Sequence, residues 1–366
     1  MMQPILLRRL TNKLRNIGIS SRDIFQKPYT VFNIIGDGAD WVLDYESKEL
    51  LKIVRKLGFK QRIAFSYNNK LRQCVHYTSQ FVLTDPATYN SANRFSIDYY
   101  HGLPHVGKSF SDLFQAFRNN KEKIHRVRVS NSIMEELILS SGINSSKVHR
   151  IPIGVDMGLL SFQSAEEKSL LRKKFAIPQN ALVIGSFQKD GNGWGEGLEP
   201  KLIKGPDMFL KVLEILKRKK PNIYVLLTGP ARGYVKRGLE KLGIPYMHRF
   251  LKSYFEIGEY YKVLDLYLVT SREEGGPRAV LESMASGVPL VTTKVGQATD
   301  LVKHGENGWM VEIDDLEGLV YWSAHVLDRL EDIGKVLKQA RLTAERNTYS
   351  AQLSLWNGFF AGYLER

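Results

Sequence analysis

The sequence predicts an α/β protein with two domains, each built on a parallel β-sheet. The chain has 366 residues, which is long for one hydrophobic core and suits two domains of ordinary size. In both halves, short β-prone apolar segments alternate with amphipathic helical segments, a pattern typical of parallel strands joined by crossover helices. Residues 264–287 also combine an apolar strand, a glycine turn and a helix in immediate succession.

The first domain is predicted to contain short strands separated by helices. Segments rich in Val, Ile, Phe and Tyr indicate strands at 31–35, 62–67, 80–83 and 95–100. One helix is predicted over 45–57, and a second follows Ser130 or Asn131. Either residue can cap that helix, because both side chains accept hydrogen bonds from the first helical amides. Residues 147–156 are expected to form the last strand of this domain.

The second domain is predicted to repeat the strand–helix alternation. It follows a polar helical linker that ends at Lys174. Its first strands and helices are predicted, in order, at 181–187, 207–219, 222–229 and 235–242. A strand over 264–271, a helix over 278–286 and a strand over 288–293 come next. The tail at 349–363 is aromatic and amphipathic.

Composition excludes several classes of protein. A hydrophobic content of 43% and a charged content of 25% are ordinary for a globular protein. Cys74 is the only cysteine, so the sequence has no intrachain disulfide and no cysteine spacing typical of zinc sites, and a reducing cytoplasm is the expected location. No apolar run approaches the ~18 residues of a transmembrane helix, and no signal peptide is predicted.

Positive charge is concentrated in the first half of the chain. The net charge is +14, of which residues 1–150 contribute +11, with 23 Lys/Arg against 12 Asp/Glu. Residues 6–17 form a basic amphipathic stretch whose cations are Arg8, Arg9, Lys13 and Arg15. The asymmetry indicates an anionic partner: acidic lipid, a phosphorylated acceptor or nucleic acid. Packing of the apolar stripe on the domain itself is the alternative interpretation of this stretch.

Two carboxylates, Glu274 and Glu282, are separated by seven residues across the predicted turn and helix. Gly275 and Gly276 allow a sharp turn, and Pro277 suits a helix start because it has no N–H to leave unpaired. A helix N-terminus at the carboxyl edge of a parallel sheet favours anions. The pattern therefore predicts a ligand site in which Glu274 binds sugar hydroxyls and Glu282 binds a ribose.

This segment resembles the E-x7-E signature of retaining GT-B glycosyltransferases of family 4, the glycosyl transferases group 1, and the match runs from Asp265 to Gly308. The resemblance implies two Rossmann-like domains with parallel sheets facing a central cleft. It places an acceptor-binding domain at 1–158 and a nucleotide-sugar-binding domain at 159–345. A C-terminal helix at 346–366 is expected to cross back to the first domain.

The resemblance also implies roles for individual residues. His101, in Tyr100-His101-Gly102, is expected to face the transferred sugar, and Lys204, before Gly205, to hold the donor diphosphate. Lys189 stands nearest the position where the family usually has an arginine. The predicted catalytic residues are thus His101, Lys204 and Glu274. The predicted donor-binding residues are Lys189, Lys204, Phe250, Leu251, Glu274, Gly275, Gly276, Pro277, Arg278 and Glu282, of which Phe250 and Leu251 occupy the nucleobase region.

A retaining hexosyltransferase is the activity that the resemblance implies. It would move a sugar from UDP-sugar, or next GDP-sugar, to a glycan or lipid-linked acceptor in envelope polysaccharide or glycolipid synthesis. Neither a cofactor nor a metal is expected, since the sequence has no Asp-x-Asp. The diphosphate would be neutralised by Lys204, Lys189, Arg278 and the helix dipole. Residues 36–41 are expected to form a glycine-rich acceptor loop.

Location and two alternatives complete the prediction. The protein is expected in the cytoplasm, and peripheral association with the inner face of the plasma membrane, through anionic lipid, is a further expectation. No nucleic acid partner is expected. A nucleotide-sugar epimerase of the same fold is the first alternative function, although the sequence does not place its acid and base residues. A basic nucleic-acid-binding protein is the second, and it would not explain the acidic motif.

Overall fold

The structure, a computed structural model, describes residues 27–35, 42–64, 70, 72–89, 92–162 and 164–366. It divides into two compact units. Unit 1 holds the described residues up to Ile153 together with Tyr349–Arg366, and unit 2 holds Gly154–Thr348. Each unit contains a parallel sheet and helices, so the predicted two-domain α/β fold class is confirmed.

Unit 1 contains a six-stranded parallel sheet in the order β2-β1-β3-β4-β5-β6 among its described residues. Its strands are β1 (Val31–Ile35), β2 (Lys60–Ala64), β3 (Cys74–Tyr77), β4 (Arg94–Tyr99), β5 (Arg126–Val129) and β6 (Val148–Arg150). Its first helices are α1 (Val42–Lys56), α2 (Lys108–Asn120) and α3 (Ser132–Ser140). Asn131 rather than Ser130 caps α3, because its side chain accepts from the Met134 amide at 3.0 Å.

The prediction of a strand at 80–83 is wrong. Gln80–Thr84 forms a 3-10 turn, and the strand lies just before it, at Cys74–Tyr77. Gln80 faces inward, and its Oε1 accepts from the Tyr100 amide at 2.8 Å. The true strand was missed because it carries the polar His76 at a position with 0% exposure, where a sequence pattern predicts an apolar residue.

Unit 2 contains a second six-stranded parallel sheet, in the order β12-β11-β10-β7-β8-β9. Its strands are β7 (Leu182–Ser186), β8 (Ile223–Thr228), β9 (Tyr246–Arg249), β10 (Leu266–Val269), β11 (Leu290–Thr293) and β12 (Trp309–Val311). Its helices are α4 (Ala165–Lys174), α5 (Pro206–Lys219), α6 (Gly233–Leu242), α7 (Ile257–Tyr261), α8 (Arg278–Ser286), α9 (Ala298–Leu301), α10 (Leu316–Asp328) and α11 (Gly334–Arg346). Apolar clusters cover both faces of this sheet, which explains why its central strands are continuous hydrophobic runs.

The C-terminal helix, α12 (Leu353–Phe360), belongs to unit 1. Trp356 is 1% exposed, and the Phe360 ring meets the Phe32 ring of β1 edge-on at 5.0 Å. Beyond the helix, the Tyr363 hydroxyl donates to Ser96 Oγ at 2.8 Å. Because these aromatic side chains are buried against the first sheet, the tail is part of the core of unit 1.

Candidate active site

The strand, turn and helix predicted at the edge of the second sheet are all present. β10 ends at Val269 and α8 begins at Arg278, with Pro277 at the cap position just before it. Gly287 ends α8 in the left-handed region, at φ +67°, as a helix C-terminus favours. Because β7 and β10 are parallel neighbours, the loops after both strands meet at this edge.

Lys204 and Glu274 form an ion pair at this edge. Lys204 Nζ lies 2.5 Å from Glu274 Oε2, and the two side chains are 19% and 11% exposed. The Ser271 hydroxyl donates to the other oxygen, Glu274 Oε1, at 3.0 Å. A charged pair this far from solvent is screened less than a surface pair. The structure therefore brings together two of the three residues predicted to be catalytic.

Gly205 holds the main chain of Lys204 against the sheet. It has φ +62°, and a Cβ atom there would lie 1.8 Å from the Thr270 carbonyl oxygen. The Thr270 hydroxyl donates to the Gly205 carbonyl at 2.8 Å, and Gln188 Nε2 donates to the Lys204 carbonyl at 3.0 Å. Only glycine permits both this conformation and this approach. The order Lys-Gly therefore has a steric reason in addition to the family resemblance.

The predicted Gly275–Pro277 turn lies between β10 and α8. Gly296, at φ +49°, packs so closely on it that a Cβ atom would lie 2.6 Å from the Gly275 carbonyl oxygen. Gln297 Nε2 donates to the Pro277 carbonyl at 3.4 Å. The loop after β11 thus supports the turn between β10 and α8 from one side.

Glu282 lies inside unit 2, with 6% exposure. Its Oε1 accepts hydrogen bonds from the Tyr254 hydroxyl and, at 3.2 Å, from Arg278 Nε. Its Oε2 accepts from the Tyr261 hydroxyl at 2.9 Å. Burial, reinforced by the Glu282 charge, raises the pKa of the Tyr261 hydroxyl well above its usual value, so that hydroxyl stays a donor. In this structure three protein groups donate to the carboxylate that was predicted to bind the ribose.

Arg278 contacts the same group of side chains, Tyr254 and Glu282. Its Nη2 donates to the Tyr254 hydroxyl at 2.7 Å, and its guanidinium carbon lies 4.6 Å from the centre of the Tyr254 ring. The predicted role of Arg278 was neutralisation of the diphosphate. Its guanidinium contacts Tyr254 and Glu282 here, and its role toward the diphosphate stays a prediction. Tyr254 and Tyr261 were not predicted as site residues. They lie more than 20 residues before Glu282, and no local sequence pattern indicates a contact over that separation.

Residues 188–200, which carry four glycines, pack against the start of α6. A Cβ atom on Gly197 would lie 2.2 Å from the Ala231 carbonyl oxygen. Arg232 Nη2 forms a fully buried ion pair with Asp190 Oδ2 at 2.9 Å. Lys189, predicted to replace the family's arginine, places its Nζ over the Trp194 ring, 3.9 Å from the ring centre. These contacts set the path of the loop past Lys204.

Lys201 is a further cation at this edge, and sequence reasoning missed it. Burial lowers the pKa of its ammonium, and the neighbouring Lys204 ammonium lowers it further, whereas Glu274 opposes the change. Burial also lowers the pKa of Lys189. Lys201 therefore feels the charges of Lys204, Lys189 and Glu274 together. No spacing rule indicated this cluster, because it depends on how residues 188–200 fold.

A cavity of about 430 Å³ lies beside residues 188–200. Trp194, Phe250, Lys236 and Arg237 are among the residues that line it. Phe250 is 64% exposed, whereas its predicted companion Leu251 packs on the core of unit 2. Glu196 and Glu240 line the same cavity, so its wall combines aromatic rings with charges of both signs.

His101 lies in unit 1, directly after β4. Its amide donates to Gln80 Oε1 at 3.2 Å, and its carbonyl accepts from Gln80 Nε2. Its ring meets the Phe110 ring edge-on at 5.5 Å. Gly102 has φ +112°, and a Cβ atom there would lie 2.4 Å from the Phe110 ring. The backbone of the predicted His-Gly pair is thus held by hydrogen bonds to Gln80 and by close packing on the Phe110 ring of α2.

Two predicted features, the basic stretch 6–17 and the glycine-rich loop 36–41, lie outside the described residues. Within the described ranges, no three or more His, Cys, Asp or Glu side chains are grouped closely enough to hold a metal ion. Over the same part of the chain, no helix combines the length and the apolar character needed to cross a membrane.

The architecture is that of the GT-B class: two α/β units, each with a parallel sheet, and a strand–turn–helix at the carboxyl edge of the second. Solved structures of similar fold support this assignment of architecture. An Anabaena protein, Alr3699/HepE, solved in complex with UDP, has a TM-score of 0.71 at 15% identity and aligns over 91% of this chain and 100% of its own. A glycosyltransferase from Rickettsia africae also has a TM-score of 0.71, at 17% identity, over 92% and 99% of the two chains.

Sequence comparison finds similarity to one family over part of the chain. Residues 198–335 match the family model described as glycosyl transferases group 1. The lipopolysaccharide core biosynthesis mannosyltransferase LpsB of Rhizobium meliloti is 32% identical over 176 residues, which are 46% of this chain and 47% of the relative. A D-inositol 3-phosphate glycosyltransferase of Stackebrandtia nassauensis is 24% identical over 75% of this chain and 64% of the relative. The chain thus spans about half to two thirds of these relatives, and the predicted resemblance to group 1 GT-B glycosyltransferases is confirmed.

Proposed function

We propose that the chain is a retaining glycosyltransferase that moves a sugar from a nucleotide diphosphate sugar to a glycan or lipid-linked acceptor. The Lys204–Glu274 ion pair carries this proposal. It lies at the carboxyl edge of a parallel sheet, where this class of sheet binds ligands, and inside the segment that matches the family. A cation and a carboxylate side by side are suited to a ligand with a phosphate at one end and hydroxyls at the other.

In the proposed reaction, the donor replaces the ion pair. The diphosphate binds the Lys204 ammonium, and the sugar hydroxyls donate hydrogen bonds to Glu274. The cation therefore keeps an anionic partner, and the carboxylate keeps hydrogen-bond donors. The bond between the anomeric carbon and the phosphate oxygen breaks as the acceptor oxygen attacks from the same face. The departing phosphate oxygen takes the acceptor proton, which gives retention without a covalent enzyme intermediate. The amides at the start of α8 would stabilise the negative charge on the leaving group.

UDP-sugar is the proposed donor, with GDP-sugar next. The Anabaena protein of similar fold was solved with UDP and glucose, which supports a uridine nucleotide. The relative from Rhizobium meliloti is a mannosyltransferase of lipopolysaccharide core synthesis, which supports an acceptor of the cell envelope. We further propose that lysines and the helix dipole replace a metal, that His101 contacts the transferred sugar, and that residues 6–17 bring the enzyme to anionic lipid.

The direct test is turnover of nucleotide sugars by the purified full chain. UDP-glucose, UDP-N-acetylglucosamine and GDP-mannose would be supplied with envelope glycan acceptors, and release of UDP or GDP would be followed. We expect release above the rate without protein, and proton NMR of the product should show the anomeric configuration of the donor. Absence of binding and turnover for all three donors would refute the proposed function, and an inverted product would refute retention.

A further inference from the structure

The position of Lys201 is fixed by main-chain hydrogen bonds on both sides. Its amide donates to the Asp190 carbonyl at 2.7 Å, and its carbonyl accepts from the Lys204 amide at 2.8 Å. Asp190 is itself fixed by its buried ion pair with Arg232. Lys201 is therefore held at the site edge by the same packing that anchors residues 188–200, one turn of chain from Lys204.

The cations around Glu274 outnumber the carboxylate. The ammonium groups of Lys204 and Lys189 both act on Lys201 electrostatically, and among the described residues Glu274 is the acidic side chain that opposes them. Glu274 is already engaged by Lys204 and by the Ser271 hydroxyl. Across the described ranges, the Lys201 ammonium has no ion pair or hydrogen bond of its own. Three ammonium groups and one carboxylate leave an excess of two positive charges in a half-buried site.

Such an arrangement is unfavourable without a ligand. Each half-buried ammonium loses hydration, and like charges repel, which is why the pKa of Lys201 is lowered. An anion with about two negative charges would relieve both effects. The diphosphate of a nucleotide sugar has that charge.

Lys189 is placed differently from Lys201. Its ammonium lies over the Trp194 ring, 3.9 Å from the centre, and it precedes the buried Asp190 on the loop. The ring already provides a partner for this cation. Lys201 has no such partner among the described residues and lies one turn of chain from Lys204, so it is the better replacement for the arginine that the family usually carries.

We propose that Lys201 binds the donor diphosphate together with Lys204. This inference rests on the proposed function and adds a residue to it. Two adjacent ammonium groups, each a point charge, would share the phosphate oxygens that one planar guanidinium would bind in a bidentate manner.

The test compares UDP with UMP in calorimetric titrations of the full chain and of Lys201→Ala. We expect Lys201→Ala to weaken UDP binding about tenfold or more, and UMP binding by a smaller factor, because the variant loses a charged contact to the second phosphate. Lys201→Arg should retain most of the UDP affinity. Lys219→Ala, which removes an exposed lysine at the end of α5, is the matched control and should bind UDP normally.

Two results would overturn the inference while leaving the proposed function intact. One is UDP affinity in Lys201→Ala equal to that of the unaltered chain. The other is an equal loss for UDP and UMP, which would indicate a disturbed loop rather than a lost phosphate contact. Failure of the unaltered chain to bind UDP, UMP and GDP would refute the proposed function, and the inference with it.

Discussion

The hydroxyl of Tyr261 donates to Glu282 Oε2 at 2.9 Å, joining α7 to α8 beneath the site. Tyr261 has 0% exposure and Glu282 has 6%. Water therefore has little access to this carboxylate oxygen, and the tyrosine supplies the hydrogen bond that water would otherwise provide. The signature glutamate thus helps to hold unit 2 together, whatever it contributes to ligand binding.

Replacing Tyr261 by Phe should destabilise the protein. The change leaves a buried carboxylate oxygen without its donor, and a hydrogen bond to a charged group is worth about 1.5–3 kcal/mol. The free energy of unfolding, measured in urea, should fall by that amount. Tyr321→Phe is the control, because Tyr321 is 61% exposed, and it should change stability by about 0.5 kcal/mol or less. Equal effects of the two substitutions would contradict the role given to Tyr261.

Substitution of Gly205 should disrupt the edge of the second sheet. In Gly205→Ala the new Cβ atom would lie 1.8 Å from the Thr270 carbonyl oxygen, in a left-handed conformation. We expect a loss of about 3 kcal/mol, from strain and steric overlap together. Gly193→Ala separates these two causes, because Gly193 has φ +69° and open space around it. That control should lose about 1 kcal/mol in the same urea unfolding experiment. A Gly205 variant as stable as the control would show that the contact is unimportant.

Transfer should not require a divalent metal. The sequence has no Asp-x-Asp, and three lysines with the first amides of α8 are available to neutralise the diphosphate. Donor turnover is therefore expected to be the same, within about twofold, with and without excess EDTA. Activity that disappears with EDTA and returns with magnesium or manganese would show that these groups are insufficient.

Anionic vesicles should bind the full chain through residues 6–17. Each Lys or Arg near an acidic bilayer contributes about 1 kcal/mol, and this attraction decays within a Debye length. Co-sedimentation should rise with the fraction of acidic lipid and fall at high salt. Neutralising Arg8, Arg9, Lys13 and Arg15 together should weaken it, whereas neutralising the exposed Lys219 should not. Equal partitioning to neutral and acidic vesicles would refute this proposal.

The sequence predicted the elements whose own residues show a clear hydrophobic or turn pattern. β10 is a continuous run of apolar and aromatic residues, β11 joins Leu290 and Val291 to two β-branched threonines, and the turn between β10 and α8 has glycines where the backbone bends. β5 was missed, because Arg126 and Arg128 alternate with its valines. Arg128 is 1% exposed, and its guanidinium donates to the Ile151 carbonyl at 3.0 Å. Burial of an arginine depends on distant partners that no local pattern shows.

The site residues also differ in whether the neighbouring sequence indicates them. Lys204, Gly205 and Glu274 stand next to glycines and a strand end, so their neighbourhood could be predicted. Lys201 could not, because its place at this edge depends on the hydrogen bond from its amide to the carbonyl of Asp190, a distant loop residue. The hydrogen bonds that Tyr254, Tyr261 and Arg278 donate to Glu282 were also unforeseen. As a result, Glu282→Ala would lower stability as well as any ribose binding, and Lys204 offers the cleaner test.

Titration of UDP into the full chain and into Lys204→Ala tests the central claim most directly. Lys204 is partly exposed, so its removal should leave the fold intact, and melting temperatures would verify this. The unaltered chain should bind UDP, and the variant should lose about 1.5–3 kcal/mol of binding free energy, or roughly ten- to 150-fold in affinity. Lys219→Ala should bind as the unaltered chain does. Equal UDP affinity in all three proteins, or no binding by any of them, would contradict the account.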